Sequence, residues 1–179
     1  MSRVRTLILV GLVLCLGSCS SHRIRKELES FLSQEVCFPS SLTCVSNAFQ
    51  GRDILLDSIP LLVIYVDSTQ CSTCRVGHLA EYIPLQEKAV QSRKFLLTVI
   101  LSPPANEYDH IVHLLDVYDY PFPIFLDKNH SFRKENSFIP GDARFHAFLI
   151  DRSRHPVMVG DPTRSEKLRR LFEQALQQL

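Results

Sequence analysis

Cys71 and Cys74, separated only by Ser72 and Thr73, are the residues of this chain best suited to chemistry. Two thiols one helical turn apart can pass between a dithiol and a disulfide, and that exchange needs no cofactor. Their setting favours it. Leu61-Leu62-Val63-Ile64-Tyr65-Val66-Asp67 is a run of apolar and β-branched residues that predicts a buried strand, and a helical pattern opens directly after the pair. The start of a helix exposes unpaired backbone N–H groups and partial positive charge, both of which favour the thiolate of the first cysteine. Cys71 is therefore the expected nucleophile.

The same residues admit two other readings. Cys74 and His78 stand one helical turn apart, and with Cys71, and His146 if the fold brings it near, they would offer soft thiolate and imidazole ligands suited to copper(I) or zinc. A solvent-facing His78 and a permanent structural disulfide are the plainer alternatives. The redox switch is the favoured reading of the pair and a metal site is not favoured. His110, His113, His130 and His155 fall on apparent helix faces and turns, where a solvated role is expected.

The elements that must position the pair follow from hydrophobic periodicity. Ile24, Leu28, Phe31 and Leu32 predict an amphipathic helix over residues 22–34, and Val36-Cys37-Phe38 a short strand stopped by Pro39. After the strand at 61–66, Val76, Leu79, Ala80 and Ile83 mark a helix that Pro84 should kink or end. Residues 95–101 read as the next strand. Asn106 is placed to cap a helix burying Ile111, Leu114, Leu115 and Tyr118. Residues 123–127 read as a short strand, followed by a polar or single helical turn. Residues 145–150 and 157–159 flank a turn and predict an antiparallel hairpin. A last helix, capped by Thr163 with Glu166 in capping-box position, carries Leu168, Leu171, Phe172, Ala175, Leu176 and Leu179 on one face. The cluster Tyr118, Tyr120, Phe122 and Pro123 reads as a helix end packed on a strand.

The N-terminus indicates a compartment. Arg3 and Arg5 precede a short apolar stretch ending in Leu16-Gly17-Ser18-Cys19, the pattern of an export signal, too short for the about 20 apolar residues of a spanning helix. Leu16-Gly17-Ser18-Cys19 resembles a bacterial lipobox, in which Cys19 would be acylated and begin the mature protein. An ordinary secretory signal that happens to end in a cysteine is the alternative. Export would leave Cys37, Cys44, Cys71 and Cys74 where disulfides persist, and a second bridge between Cys37 and Cys44 is possible, as is their remaining free. With a net charge of +1 spread evenly along 179 residues, nothing argues for a nucleic-acid partner. A hydrophobic content of 45% is enough for a sizeable core without disulfides.

Strand, helix, strand, helix, hairpin and final helix predict an α/β domain with parallel pairing and an antiparallel edge. In residues 61–179, the strand leading into Cys71-Ser72-Thr73-Cys74, the segment Phe122-Pro123-Ile124-Phe125-Leu126-Asp127, and Phe148-Leu149-Ile150-Asp151 with Gly160 together resemble thioredoxin-like lipoproteins of the TlpA and ResA kind. The resemblance implies a thioredoxin-like three-layer sandwich with a mixed central sheet, a C-terminal hairpin and flanking helices. It divides the chain into a signal peptide (1–18), an anchor with an N-terminal helix and strand extension (19–60), and the thioredoxin-like domain (61–179). It implies that Cys71 attacks substrate disulfides and that a buried Cys74 resolves them. The partners would be cysteine-containing envelope proteins and a redox-resetting partner, met by a lipid-anchored, periplasm-facing domain.

Three positions depart from the family pattern. Tyr65 stands where thioredoxins keep a buried acid, and Gln70 where a tryptophan usually precedes the first cysteine. The place of the family's cis-proline falls on Phe145, or on His146 one residue later. Gln70, Phe145 and His146 are thus the candidate substrate-binding residues. Their unusual identities leave a binding module without turnover as the alternative function, its cysteines a structural disulfide or a copper or zinc site.

Overall fold

A computed structural model describes residues 22–49 and 59–179. The apolar runs become a six-stranded sheet in the order β1-β4-β3-β2-β5-β6. Its strands are β1 (Thr43–Cys44), β2 (Leu61–Val66), β3 (Leu96–Leu101), β4 (Ile124–Leu126), β5 (Ala147–Ile150) and β6 (Pro156–Val159). β2, β3 and β4 are parallel, joined by helical crossovers, whereas β5 runs antiparallel to β2 and β6 to β5. The helices are α1 (22–32), α2 (Ser72–Gly77), α3 (Ile83–Ser92), α4 (Tyr108–Tyr118), α5 (Ser131–Glu135) and α6 (Glu166–Gln178). This is a thioredoxin-like sandwich.

β2 is apolar at every position because both faces of the sheet are covered. Successive side chains point to opposite faces. Leu62, Ile64 and Val66 join Leu97, Val99 and Leu149 beneath residues of α2, α3, α4 and α6, including Val76, Ala89, Ile111 and Phe172. Leu61, Val63 and Tyr65 join Ile100, Phe148 and Ile150 beneath Phe31 of α1, Val36, Phe132 of α5 and Ile139. Phe31 meets Phe148 edge-on, with ring centroids 5.0 Å apart. Residues 22–49 are therefore built into the same core, and β1 extends the sheet beyond β4.

Several local expectations are corrected. Residues 36–38 form no strand: the Asn136 side chain, rather than a neighbouring strand, accepts from Cys37 N–H at 2.7 Å and donates to its carbonyl at 2.8 Å. The helix after the cysteines breaks earlier than Pro84, at His78, where a 3-10 turn over Leu79–Tyr82 takes over. Pro84 instead opens α3, where a missing N–H costs nothing. Asn106 lies inside a 3-10 turn (Ala105–Glu107) and does not cap α4, and Tyr118 is half exposed. Ser165, rather than Thr163, caps α6 by accepting from Leu168 N–H, while Thr163 N–H and Oγ1 both donate to Asp161. Leu171 and Leu179 lie largely outside the core stripe that Phe172 and Leu176 supply.

Gly160 closes the hairpin at φ +123°, a region side-chain-bearing residues rarely adopt, and a Cβ there would lie 2.8 Å from Leu168 Cδ2. Gly160→Ala is expected to destabilise the domain by about 1–3 kcal/mol, combining backbone strain with the displacement of Leu168. Urea denaturation checks it, and an unchanged midpoint would count against this strain.

Candidate active site

β2 ends at Val66, and the chain turns through Asp67, whose Oδ1 accepts from Thr69 N–H at 2.9 Å and Thr69 Oγ1 at 2.6 Å. That side-chain-stabilised turn delivers Cys71 to the N-cap of α2 in extended conformation. Cys71 and Cys74 are joined in a disulfide with Cα atoms 5.3 Å apart. Cys71 Sγ also accepts from Cys74 N–H at 3.3 Å, so the helix's own unpaired donor points at the first sulfur. Both cysteines are exposed, which corrects the expectation of a buried Cys74, while Ser72 between them is fully buried. The first turn thus turns Ser72 inward and both cysteines outward.

Two buried tyrosines brace this segment, Tyr120 at α2 itself and Tyr82 in the 3-10 turn that follows it. Tyr120 donates to Val76 O at 2.7 Å, and Tyr82 donates to Asp161 Oδ2 at 2.7 Å. Neither was singled out as a support in the sequence, where the available signal is only that a tyrosine in a core needs a partner for its hydroxyl. Tyr120 also stacks between Tyr118 and Phe122, as the junction of helix end and strand requires.

Tyr65 is buried on the face of the sheet opposite α2, against Phe132 and His146. Burial is the main cause that pushes its phenol up to about 12, against the opposing hydrogen bond with Ser102. It stays protonated across the physiological range and is therefore no proton acceptor for the cysteines.

His146 rather than Phe145 occupies the buried position before β5, with Tyr65 N–H donating to its carbonyl at 2.8 Å. Its ring lies among Gln70, Asp67 and Pro140. Nε2 is 2.9 Å from the Pro140 carbonyl, which can only accept, so Nε2 carries the proton and Nδ1 accepts from Gln70 Nε2 at 3.2 Å. Asp67 Oδ2 is 3.8 Å from Nδ1. Burial is the first cause lowering the His146 pKa, which favours the neutral ring. Gln70 and His146 are thus brought together, while Phe145 lines an adjacent groove between α1 and residues 137–142.

His78 is exposed and turns Nδ1 to Glu81 at 2.9 Å. Among the described residues no group of three His, Cys, Asp or Glu side chains is placed to hold a metal ion. The Cys37–Cys44 bridge is not formed: both are free, Cys37 exposed on the segment pinned by Asn136 and Cys44 held in β1 with its sulfur 3.6 Å from Ser46 Oγ. Cys19 and the export pattern lie outside the described residues, among which no helix is long and apolar enough to cross a membrane.

No protein-family model matches the chain, and no curated protein does. Solved structures do. The exposed lipoprotein thioredoxin Etrx1 of Streptococcus pneumoniae is 18% identical, over 69% of this chain and 87% of its own, with a TM-score of 0.47. A thiol:disulfide interchange protein of the thioredoxin family from Chlorobium tepidum is 18% identical, over 80% of this chain and 98% of its own, with a TM-score of 0.49. A thioredoxin-like protein from Porphyromonas gingivalis is 16% identical, over 81% and 93%, with a TM-score of 0.48. What the cysteine pair can do rests on its own geometry.

Proposed function

We propose that this chain is a lipid-anchored thiol–disulfide oxidoreductase of the bacterial envelope that exchanges disulfides with exported proteins. The observation that supports it is the exposed Cys71–Cys74 pair at a strand-to-helix junction, with Cys74 N–H aimed at the first sulfur. In the reductive direction the Cys71 thiolate attacks one sulfur of a substrate disulfide and expels the other as a thiolate, forming a mixed disulfide. Cys74, deprotonated to solvent, then attacks Cys71 Sγ and releases the second substrate thiolate. Two electrons have passed to the substrate, and Cys71–Cys74 is left oxidised until a partner dithiol resets it. Run backwards, the same steps oxidise a substrate dithiol.

In this reading Cys19 carries the anchor, residues 1–18 are removed as signal peptide, residues 19–60 supply the anchor and extension, and 61–179 carry the chemistry. Gln70 and Phe145 flank the approach to Cys71 and take the place of the usual tryptophan and cis-proline in meeting substrate, whereas the expected third residue, His146, is 2% exposed with both ring nitrogens engaged and supports Gln70 from behind.

The reduced protein is expected to accelerate reduction of insulin disulfides, and the Cys71–Cys74 couple to titrate between about −120 and −300 mV. A couple more reducing than this range, with no effect on insulin, would make the bridge a permanent staple and overturn the proposal.

A further inference from the structure

His146 is a buried histidine with every polar atom assigned, and one of those assignments reaches the residue next to Cys71. It is 2% exposed. Its Nε2–H is committed to the Pro140 carbonyl, so the Gln70 amide can be held only by the Nδ1 lone pair. A proton taken at Nδ1 would turn that acceptor into a donor facing an N–H donor. The Gln70 N–H would then lose its acceptor; the new Nδ1–H could return to Gln70 only if the amide turned over to present Oε1, and the carboxylate Asp67 Oδ2 at 3.8 Å, the stronger acceptor for an imidazolium, competes for it.

The other groups facing the ring do not take that role. Tyr65 of β2 packs against it with centroids 5.2 Å apart and keeps its proton. Arg133 of α5 donates to the Ile139 carbonyl at 2.5 Å and opposes a second positive charge, and Asp142 is paired with Arg144. Asp67 is itself the residue whose side chain builds the turn before Cys71, so drawing it toward an imidazolium pulls on that same turn.

We propose that His146 is a positioning residue of the dithiol site: neutral, it holds Gln70 and the turn that presents Cys71 to Cys74 N–H; protonated, it releases Gln70 and pairs with Asp67. The consequence for turnover rests on the redox reading above, but the geometry acts on Cys71 reactivity itself. The N-cap bond from Cys74 N–H to Cys71 Sγ depends on the extended backbone at Cys71 (φ −67°, ψ 98°), and Gln70 is the residue that precedes it. Losing the tether weakens that bond and makes the thiolate scarcer. The charge of the imidazolium is offset by Asp67, so the mechanical effect sets the sign. The site is slowed by acid beyond what titration of Cys71 alone produces, and because burial opposes the proton on His146, the extra slowing sets in on the acid side of an ordinary histidine's range.

The test is iodoacetamide alkylation of the reduced full-length chain between pH 5 and 8, with the Cys71 peptide followed by mass spectrometry so that Cys37 and Cys44 do not contribute. Wild type is expected to depart downward from a single ionisation toward the acid end of this range, the extra loss approaching about tenfold, the size of one hydrogen bond. His146→Gln can still donate to Pro140 and accept from Gln70 but cannot titrate, and it is expected to follow a single ionisation. His146→Phe keeps the ring volume without either bond and is expected to be about tenfold slow at pH 7.5, with His146→Gln recovering most of that loss. Should His146→Phe fail to fold, Gln70→Ala, at a half-buried position, removes the same tether and is expected to be equally slow. An acid break that persists in His146→Gln, or a Gln70→Ala protein alkylated at the wild-type rate, overturns the proposal. Alkylation requires no turnover, so a protein inactive on insulin can still pass this test, and failure here leaves the oxidoreductase reading to its own titration.

Discussion

Cys71→Ser is expected to abolish disulfide exchange, lowering the rate of insulin reduction by more than about a thousandfold, because a serine hydroxyl does not ionise near neutral pH and forms no disulfide. Cys74→Ser is expected to behave differently. The donor to Cys71 Sγ is the backbone N–H of residue 74, which the substitution keeps, so the nucleophile retains its environment while the resolving thiol is gone. Attack then proceeds and release stops, and a covalent complex with substrate accumulates that disappears on adding a reductant. Non-reducing electrophoresis of extracts from cells producing each variant distinguishes the two: adducts with Cys74→Ser and none with Cys71→Ser. The reverse pattern would assign attack to Cys74, which its exposure permits and the direction of the N–H opposes.

Asp127→Ala is expected to cost about 3–5 kcal/mol, a large share of the roughly 5–15 kcal/mol that holds an ordinary domain together. Asp127 is fully buried at the end of β4. One carboxylate oxygen accepts from Ser131 N–H at 2.9 Å and Ser131 Oγ at 2.8 Å, the other from Phe132 N–H at 2.9 Å and Ser102 Oγ at 3.1 Å. It thereby starts α5, places Phe132 against Tyr65 at 5.0 Å, and ties the ends of β3 and β4 together. Alanine would strand these donors out of reach of water and leave a void. Asp127→Asn, which keeps one accepting oxygen, should lose less. Urea unfolding followed by tryptophan-independent circular dichroism gives the comparison: the midpoint falls while the slope against denaturant stays constant. A loss below about 1 kcal/mol would mean that the donors find other partners.

What was legible in the sequence was whatever local pattern enforces. β2 could be read because burial on both faces writes a continuous apolar run, and the cysteine pair because its spacing matches one helical turn. Other features needed partners distant in sequence. Residues 36–38 look like a strand, yet Cys37 bonds to the Asn136 side chain and Val36 N–H to the Arg154 carbonyl, each about a hundred residues away in the chain. β1 is only Thr43–Cys44 and exists because β4 offers it an edge. Pro84 is expected from the sequence to kink the helix or end its first section, and it instead sits at the start of α3, since the 3-10 turn at Leu79–Tyr82 has already redirected the chain. Thr163 is the cap expected from the sequence. Asp161 engages it, leaving Ser165 to cap α6.

The sequence alone determined the α/β order of elements, the sheet's apolar centre and the placement of the Cys71–Cys74 pair at a strand-to-helix junction, because periodicity and short-range spacing act before any long-range contact forms. Only the tertiary structure decided that Cys74 faces solvent, that Cys37 and Cys44 stay apart, and that His146 meets Gln70 across 76 residues of chain. These depend on which surfaces the sheet order and the covering segments bring together, and hydrogen bonds between residues so far apart leave no period for a sequence to display.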